Sequence, residues 1–395
     1  VTTTATPAPD AGKKENKSSA LSQELLIPVL AVLTGLILGA LVILASGENP
    51  LRAYGALFSG SFGTPGDLIE GIQSYFATGE TRLLLRAIYP FTESLVTATP
   101  YIFAGLSVAL GFRCGLFNIG AEGQFFIGAL CSAFVGYSLS GLPMIIHLPL
   151  AILGGALGGA VWGMIPGYLK ARFGAHEVVN TIMMNWIAFR LSDWLLSGPM
   201  KSSGFRPVTQ NVLATAELPR FFPEPLRFNL GFFIALLVAY LVYWFLFKTT
   251  LGFEIRSVGA NPDAAKYAGM NIIRNFVLVM FLAGGLAGLA GSAQVLGVDH
   301  WVGQGFSAGY GFDAIAIALL GKSHPAGVVL AALLFGFLRS GATDMQSIAR
   351  IPIDIISIIQ GVVIVFIAAP DIIRWLYRIR AKKAEDTVLT RGWGK

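Results

Sequence analysis

Charge is scarce in this chain. Only 13% of its 395 residues are Asp, Glu, Lys or Arg, where a soluble domain carries about 25%. Cysteine is nearly missing as well, and Cys114 and Cys131 make neither a disulfide framework nor a metal-ligand spacing. The four histidines, His147, His176, His300 and His324, are scattered without a partner at i+3 or i+4, so no zinc site is indicated. No nucleophile–His–acid set stands out, which leaves an enzyme as the weakest functional class, and no cofactor is implied. Long alternating strands are lacking too, against a membrane barrel. Nor is there an interleaved basic and aromatic surface, so the net charge of +6 does not point to nucleic acid.

What is abundant is apolar sequence: 54% hydrophobic residues with a mean hydropathy of +0.67. Several runs reach the ~20 residues that cross a bilayer as helix. The pattern predicts an all-α polytopic membrane protein of about ten transmembrane helices, at 25–46, 95–112, 117–138, 145–168, 178–197, 230–247, 276–296, 311–320, 326–338 and 353–369. The first is too long for a signal-peptide core and has no A-x-A site after it, so it reads as a retained helix. Two segments, 311–320 and 326–338, are short for a full crossing, as segments lining a transporter pathway often are. Residues 1–23 read as a disordered tail, 24–370 as the membrane domain, with a mixed excursion over 46–92 and an amphipathic helix near 83–89, and 371–395 as a basic tail.

With alternate loops assigned from a cytoplasmic N-terminus, Lys and Arg favour the inner side by about two to one. That puts the C-terminus and the polar island 251–271 in the cytoplasm. The island is punctuated as two short helices. The first runs to Val258 and is stopped by Gly259; the second is capped by Asn261, opened by Pro262 and Asp263, and closed by Gly269. Helices this short need bracing from elsewhere. Ala264, Ala265 and Ala268 offer a small-residue surface that another protein can approach.

Gly155, Gly159 and Gly163 repeat every four residues, as do Gly154–Gly158 and Gly284–Gly288. Such rows let membrane helices come close and carry no chemistry. The segment AIALLGKS over 316–323 imitates a phosphate loop, but apolar residues fill its middle and His324–Pro325 follows where a helix should open. No ATP site is indicated.

Polar residues within spans usually face a cavity or a partner. Asn118, Glu122 and Gln124 open one span, with Asn118 and Glu122 expected on one helical face. For Glu122, a helix-end or interhelical hydrogen bond is as good a reading as substrate contact. Asn180 and Asn185 mark another span, followed by Arg190 and Asp193, which read as a structural ion pair. Gln294 and Asp313 complete the set expected to line or shape a route. The sparse mid-span charge suits a neutral cargo, with amides to meet hydroxyls and base edges. Phe117, Phe125, Trp186 and Phe312 lie close in sequence, although most such rings face lipid or other helices.

Three stretches, GFRCGLFNIGAEGQFFIGAL, TTLGFEIRSVGANPDAAKYAGMNI and GFDAIAIALLGKSHPAGVV, together resemble the permease family of ATP-binding-cassette (ABC) importers, over roughly 25–370. The nucleoside-type branch, related to ribose and branched-chain amino acid permeases, is the nearest. The resemblance implies a permease subunit in a prokaryotic plasma membrane. It implies separate ATPase subunits, a second permease and an extracellular substrate-binding lipoprotein as partners. It also implies that the 251–271 island is the cytoplasmic coupling helix. Glu254, Arg256, Gly259, Asn261, Ala264, Ala265, Tyr267 and Gly269 are then the residues that meet the ATPase. Sugars or branched-chain amino acids are the alternative cargo, and an ion-coupled secondary transporter is the alternative machine.

Overall fold

The structure is a computed structural model, and it describes residues 17–378 apart from 308 and 353. In order, the helices are α1 (Lys17–Ala45), α2 (Pro50–Phe62), α3 (Pro65–Thr78), α4 (Arg82–Arg113), α5 (Ala121–Ser138), α6 (Met144–Phe173), α7 (Glu177–Ser197) and α8 (Gly231–Lys248). Then come α9 (Thr250–Ala260), α10 (Pro262–Tyr267), α11 (Ile272–Gln294), α12 (Tyr310–Leu320), α13 (Pro325–Ala349), α14 (Asp354–Ala368) and α15 (Pro370–Leu376). Extended pairing among the described residues amounts to isolated bridges, Val208 with Gly303 and Arg220 with Asn229. The regular structure of the described residues is all-helical, as expected for a segment that must satisfy its backbone inside a bilayer.

Among the described residues five helices are long and apolar enough to cross a membrane: α4, α6, α8, α11 with its extension to Asp299, and α13. Val29–Ala45 and α12 are shorter apolar helices. The chain is thus a multi-pass membrane protein. α1 already starts at Lys17, inside the stretch expected to be a tail; residues 1–16 and 379–395 lie outside the described residues.

α4 departs from expectation. Instead of an amphipathic helix near 83–89 and a separate span, one 32-residue helix runs from Arg82 to Arg113, about 48 Å at 1.5 Å per residue. Its polar middle is neutralised locally. The Thr92 hydroxyl donates back to the Tyr89 carbonyl at 3.0 Å, and Glu93 is paired with Arg227. The excursion before it forms α2 and α3, each opened by a capping side chain and proline: Asn49 accepts from Leu51 N–H, Thr64 from Asp67 N–H.

The densest seam is α5–α6–α11. Here the two glycine rows meet: a Cβ on Gly284 would collide with the carbonyl oxygen of Gly159, one on Gly288 with that of Gly155, and one on Gly128 with Gly288 Cα. Backbone lies on backbone, which hydrogen in place of a side chain alone permits.

At one end of the bundle lie Arg113, the turn at 321–324, α9 and α10, for Arg113 Nε donates to the Ser323 carbonyl and Gly259 abuts Arg113. The opposite end is closed by the 198–230 loop, where Leu218 N–H donates to the Leu296 carbonyl and His147 contacts Thr215 and the Val135 carbonyl. α12 starts midway. Residues 300–307 run inward as irregular backbone from the 208–218 side, and the 11-residue helix from Tyr310 completes the way to Gly321. Irregular backbone at this depth is tolerated when protein covers it.

Candidate translocation and coupling sites

The start of α12 is held by one carboxylate. Glu122, 2% exposed, accepts from the Ser307 hydroxyl and from Gly311 N–H. The free N–H groups of a helix N-terminus favour a negative group there. Gly311 has no room for more: a Cβ would lie 2.5 Å from Glu122 Cα. Of the two readings open for Glu122, the interhelical hydrogen bond is what the geometry displays.

Asn118 does not share a helical face with Glu122. It precedes α5 in non-helical backbone, because Gly115 at φ 73° turns the chain and helix begins only at Ala121. Its amide instead pairs reciprocally with Gln124, at 2.9 and 3.1 Å. Asn185 reaches across from α7, donating to the Ile119 carbonyl at 3.0 Å and accepting from Gly123 N–H at 2.9 Å. Asn118, Gln124 and Asn185 are buried, and each amide both donates and accepts one of these bonds. The bonds tie the start of α5 to α7 and leave each NH2 group a second N–H. Asn180 is half-buried with its Nδ2 unpartnered, and Gln294 donates to Asp299 at 2.9 Å at the end of its own helix.

Asp313 anchors a second cluster, whose other members sequence reasoning missed. Tyr101 Oη donates to Asp313 Oδ2 at 2.7 Å, and Arg339 Nη1 donates to Tyr101 Oη at 2.8 Å and to Asp313 Oδ2 at 3.2 Å. The guanidinium lies 5.1 Å over the Tyr310 ring, which packs against Tyr101 and Phe125. Arg339 lies just beyond the span expected over 326–338. In the structure α13 continues for ten more residues to Ala349, since the charge is neutralised across the helix pair. The side chains of Arg339 and Asp313 remain 34% and 28% exposed.

Arg190 and Asp193 form the expected i+3 pair at 3.6 Å. Phe125 is buried in the core, while Trp186 and Phe312 are exposed on the bundle surface.

The island folds as two helices, with corrections. Asn261 Oδ1 accepts from Ala264 N–H at 3.1 Å, Pro262 opens α10, and Gly269 at φ 83° ends it. Gly259 does not stop the first helix; α9 runs through it to Ala260. Its hydrogen is needed for close approach, because a Cβ would collide with the Arg113 carbonyl. Ala265 is 4% exposed and packs in the main core, whereas Ala264, Ala268 and Tyr267 (97% exposed) face outward. Glu254 accepts from Asn275 at 3.0 Å, and Arg256 donates to the Leu246 carbonyl at 3.0 Å. Those two fasten α9 to the bundle.

At the opposite end, Arg220 Nη2 sits 2.8 Å from His300 Nε2, a contact in which the guanidinium must donate and the imidazole accept. Burial first, then the Arg220 cation, push the His300 pKa below its usual value, against the pull of Glu217 and Asp299. Glu217, Arg220 and His300 border an open cavity of about 400 Å³.

The profile of the family described as branched-chain amino acid transport system / permease component matches residues 91–368. The chain belongs to this permease family. Over 92% of its length the permease is 39% identical to the guanosine ABC transporter permease protein NupP of Bacillus subtilis, covering 98% of that protein. The nucleoside ABC transporter permease protein NupB of Lactococcus lactis is 34% identical over 94% of this chain and 98% of its own. A glucose ABC transporter permease protein of Haloferax volcanii is also 34% identical, over 89% of each chain. No solved structure matches. The permease is therefore a transport subunit and not itself an enzyme.

Proposed function

We propose that this permease forms the path by which nucleosides cross a prokaryotic plasma membrane in an ABC importer. The observation that carries the reading is the 39% identity to a guanosine permease across nearly the whole of both chains. Two features support it. Among the described residues the interior polar groups include amides, hydroxyls, the Glu122 carboxylate held by Ser307 and Gly311, and the Asp313–Arg339 ion pair, a set suited to a neutral cargo. The α9–α10 element offers an exposed, small-residue knob on a braced base, suited to docking an ATPase. On this reading about ten segments span the bilayer, both termini are cytoplasmic, and ATPase subunits, a second permease and an extracellular binding lipoprotein complete the machine. A cysteine at Ser257 is then labelled by an impermeant reagent from the cytoplasmic side only, and one at Ser203 from outside only.

Sugar import is the second reading, favoured by the equal identity to the glucose permease. The deciding experiment is uptake of labelled guanosine and adenosine by the reconstituted complex. ATP-dependent accumulation blocked by unlabelled nucleoside is expected. Uptake of glucose, ribose or leucine that excess nucleoside leaves untouched would replace the assignment.

A further inference from the structure

α12 touches both candidate sites. Its midway end carries Asp313 and the Gly311 N–H held by Glu122, while its other end runs into the turn at 321–324. In that turn Lys322 and Ser323 both have positive φ, 51° and 50°, a conformation residues with a Cβ seldom adopt. One side chain clasps it. Arg113, the last residue of α4, donates through Nε to the Ser323 carbonyl at 2.8 Å and through Nη2 to the Lys322 carbonyl at 3.3 Å. The same guanidinium lies 5.6 Å over the Phe247 ring, and the Arg256 guanidinium of α9 lies 5.1 Å over it. The His324 ring lies tilted against that of Phe247, with centroids 5.4 Å apart. The Arg113 carbonyl, in turn, is the group on which Gly259 of α9 rests.

Arg113 is therefore gripped from two sides: by α9 through Gly259 and, across the α8 ring of Phe247 that they share, through Arg256, and by the α12–α13 turn through two carbonyls. We propose that Arg113 is the positioning residue that transmits displacement of α9–α10 to α12, which then moves as a rigid strut against Glu122 and the Tyr101–Asp313–Arg339 cluster. This rests on the reading that α9–α10 docks the ATPase. Two carbonyls on one planar fork fix orientation as well as distance, and lysine, a point charge with freely rotating donors, cannot reproduce that. An 11-residue helix is about 16 Å long, so a tilt imposed at the turn is felt at Asp313.

The test uses the whole reconstituted complex with Arg113→Lys, and Phe247→Leu as a milder loosening of the same grip. Both are compared with Ala264→Trp on the exposed face of α10. For Arg113→Lys the expected result is an assembled complex that still hydrolyses ATP, with uptake per ATP lowered by about tenfold, within the usual range of coupling between sites. Phe247→Leu should lower the same ratio less. Ala264→Trp should instead lose the ATPase from the complex. Arg113→Lys with an unchanged uptake-to-hydrolysis ratio overturns the proposal, as does loss of the ATPase from that variant. Should Arg113→Lys fail to fold, an unchanged ratio in Phe247→Leu overturns it equally. If Ala264→Trp assembles and transports normally, the docking reading fails, and that failure is distinguishable because the Arg113 ratio is measured within an assembled complex.

Discussion

The α5–α6–α11 seam and the α4–α12–α13 cluster are built on opposite principles. In the seam, glycine rows bring backbones together, and a side chain at Gly159, Gly284 or Gly288 would strike a carbonyl or Cα of the facing helix. In the cluster, large polar side chains hold the helices: Tyr101, Asp313 and Arg339 bond in a triangle, and Glu122 grips the start of α12. Backbone contact has no alternative partner to exchange with, so the seam suits a fixed frame. Hydrogen bonds among side chains can be traded for bonds to a cargo, and the cluster remains partly open.

The largest effect should follow from breaking the frame. Gly284→Leu forces a side chain onto the Gly159 carbonyl, and overpacking of this kind costs about 1–3 kcal/mol or more. Aggregated or unstable protein by size exclusion and thermal melting is the expected outcome; a monodisperse, fully active variant would dissolve the contrast between the regions. The cluster should respond differently. Asp313→Asn with Arg339→Met removes both charges together, so no unpaired charge is left behind. The protein should assemble, yet uptake should fall roughly ten- to hundredfold, the equivalent of about 1.5–3 kcal/mol of lost charged hydrogen bonding.

Much of the frame was legible because glycine spacing is a steric statement that needs no partner to read. The same holds for α10, whose Asn261, Pro262 and Gly269 play the local roles their chemistry dictates. Tyr101 and Arg339 were illegible for the converse reason. Tyr101 looks like any residue of an apolar span, and Arg339 looks like a loop until Asp313, 26 positions earlier, is placed beside it. Asn118 was misread because helical spacing was assumed across Gly120, where the backbone is not yet helical. Ala265 was misread because composition does not tell which side of a short helix faces its own core.

That misreading sharpens into a prediction of middle size. Ala265→Trp should damage packing and lower the melting temperature, whereas Ala264→Trp should leave melting intact and impair only association with the ATPase. Equal melting of the two would show that α10 is not seated as described.

A smaller effect concerns pH at the far end. His300 accepts from Arg220 only when neutral, and its pKa lies below the usual 6.5. The folded protein thus binds fewer protons here than the unfolded chain, so this contact loses stability as pH falls through the usual imidazole value towards the depressed one. His300→Gln keeps an acceptor without the titration, and its melting should fall less between neutral and mildly acid pH. The smallest effect belongs to neither region: Lys170→Ala removes the 2.8 Å pair with Glu177 between α6 and α7, worth at most about 1 kcal/mol.

The most direct measurement is a pair of spin-label distances in the assembled complex, with and without a non-hydrolysable ATP analogue. One pair joins Phe312 on α12 to Phe134 on α5; the other joins Leu157 on α6 to Ile273 on α11, all four being exposed positions. The expected result is a nucleotide-dependent shift in the first distance and none in the second. A shift across α6–α11 with α12 fixed against α5 would contradict the division into a glycine-locked frame and a moving strut.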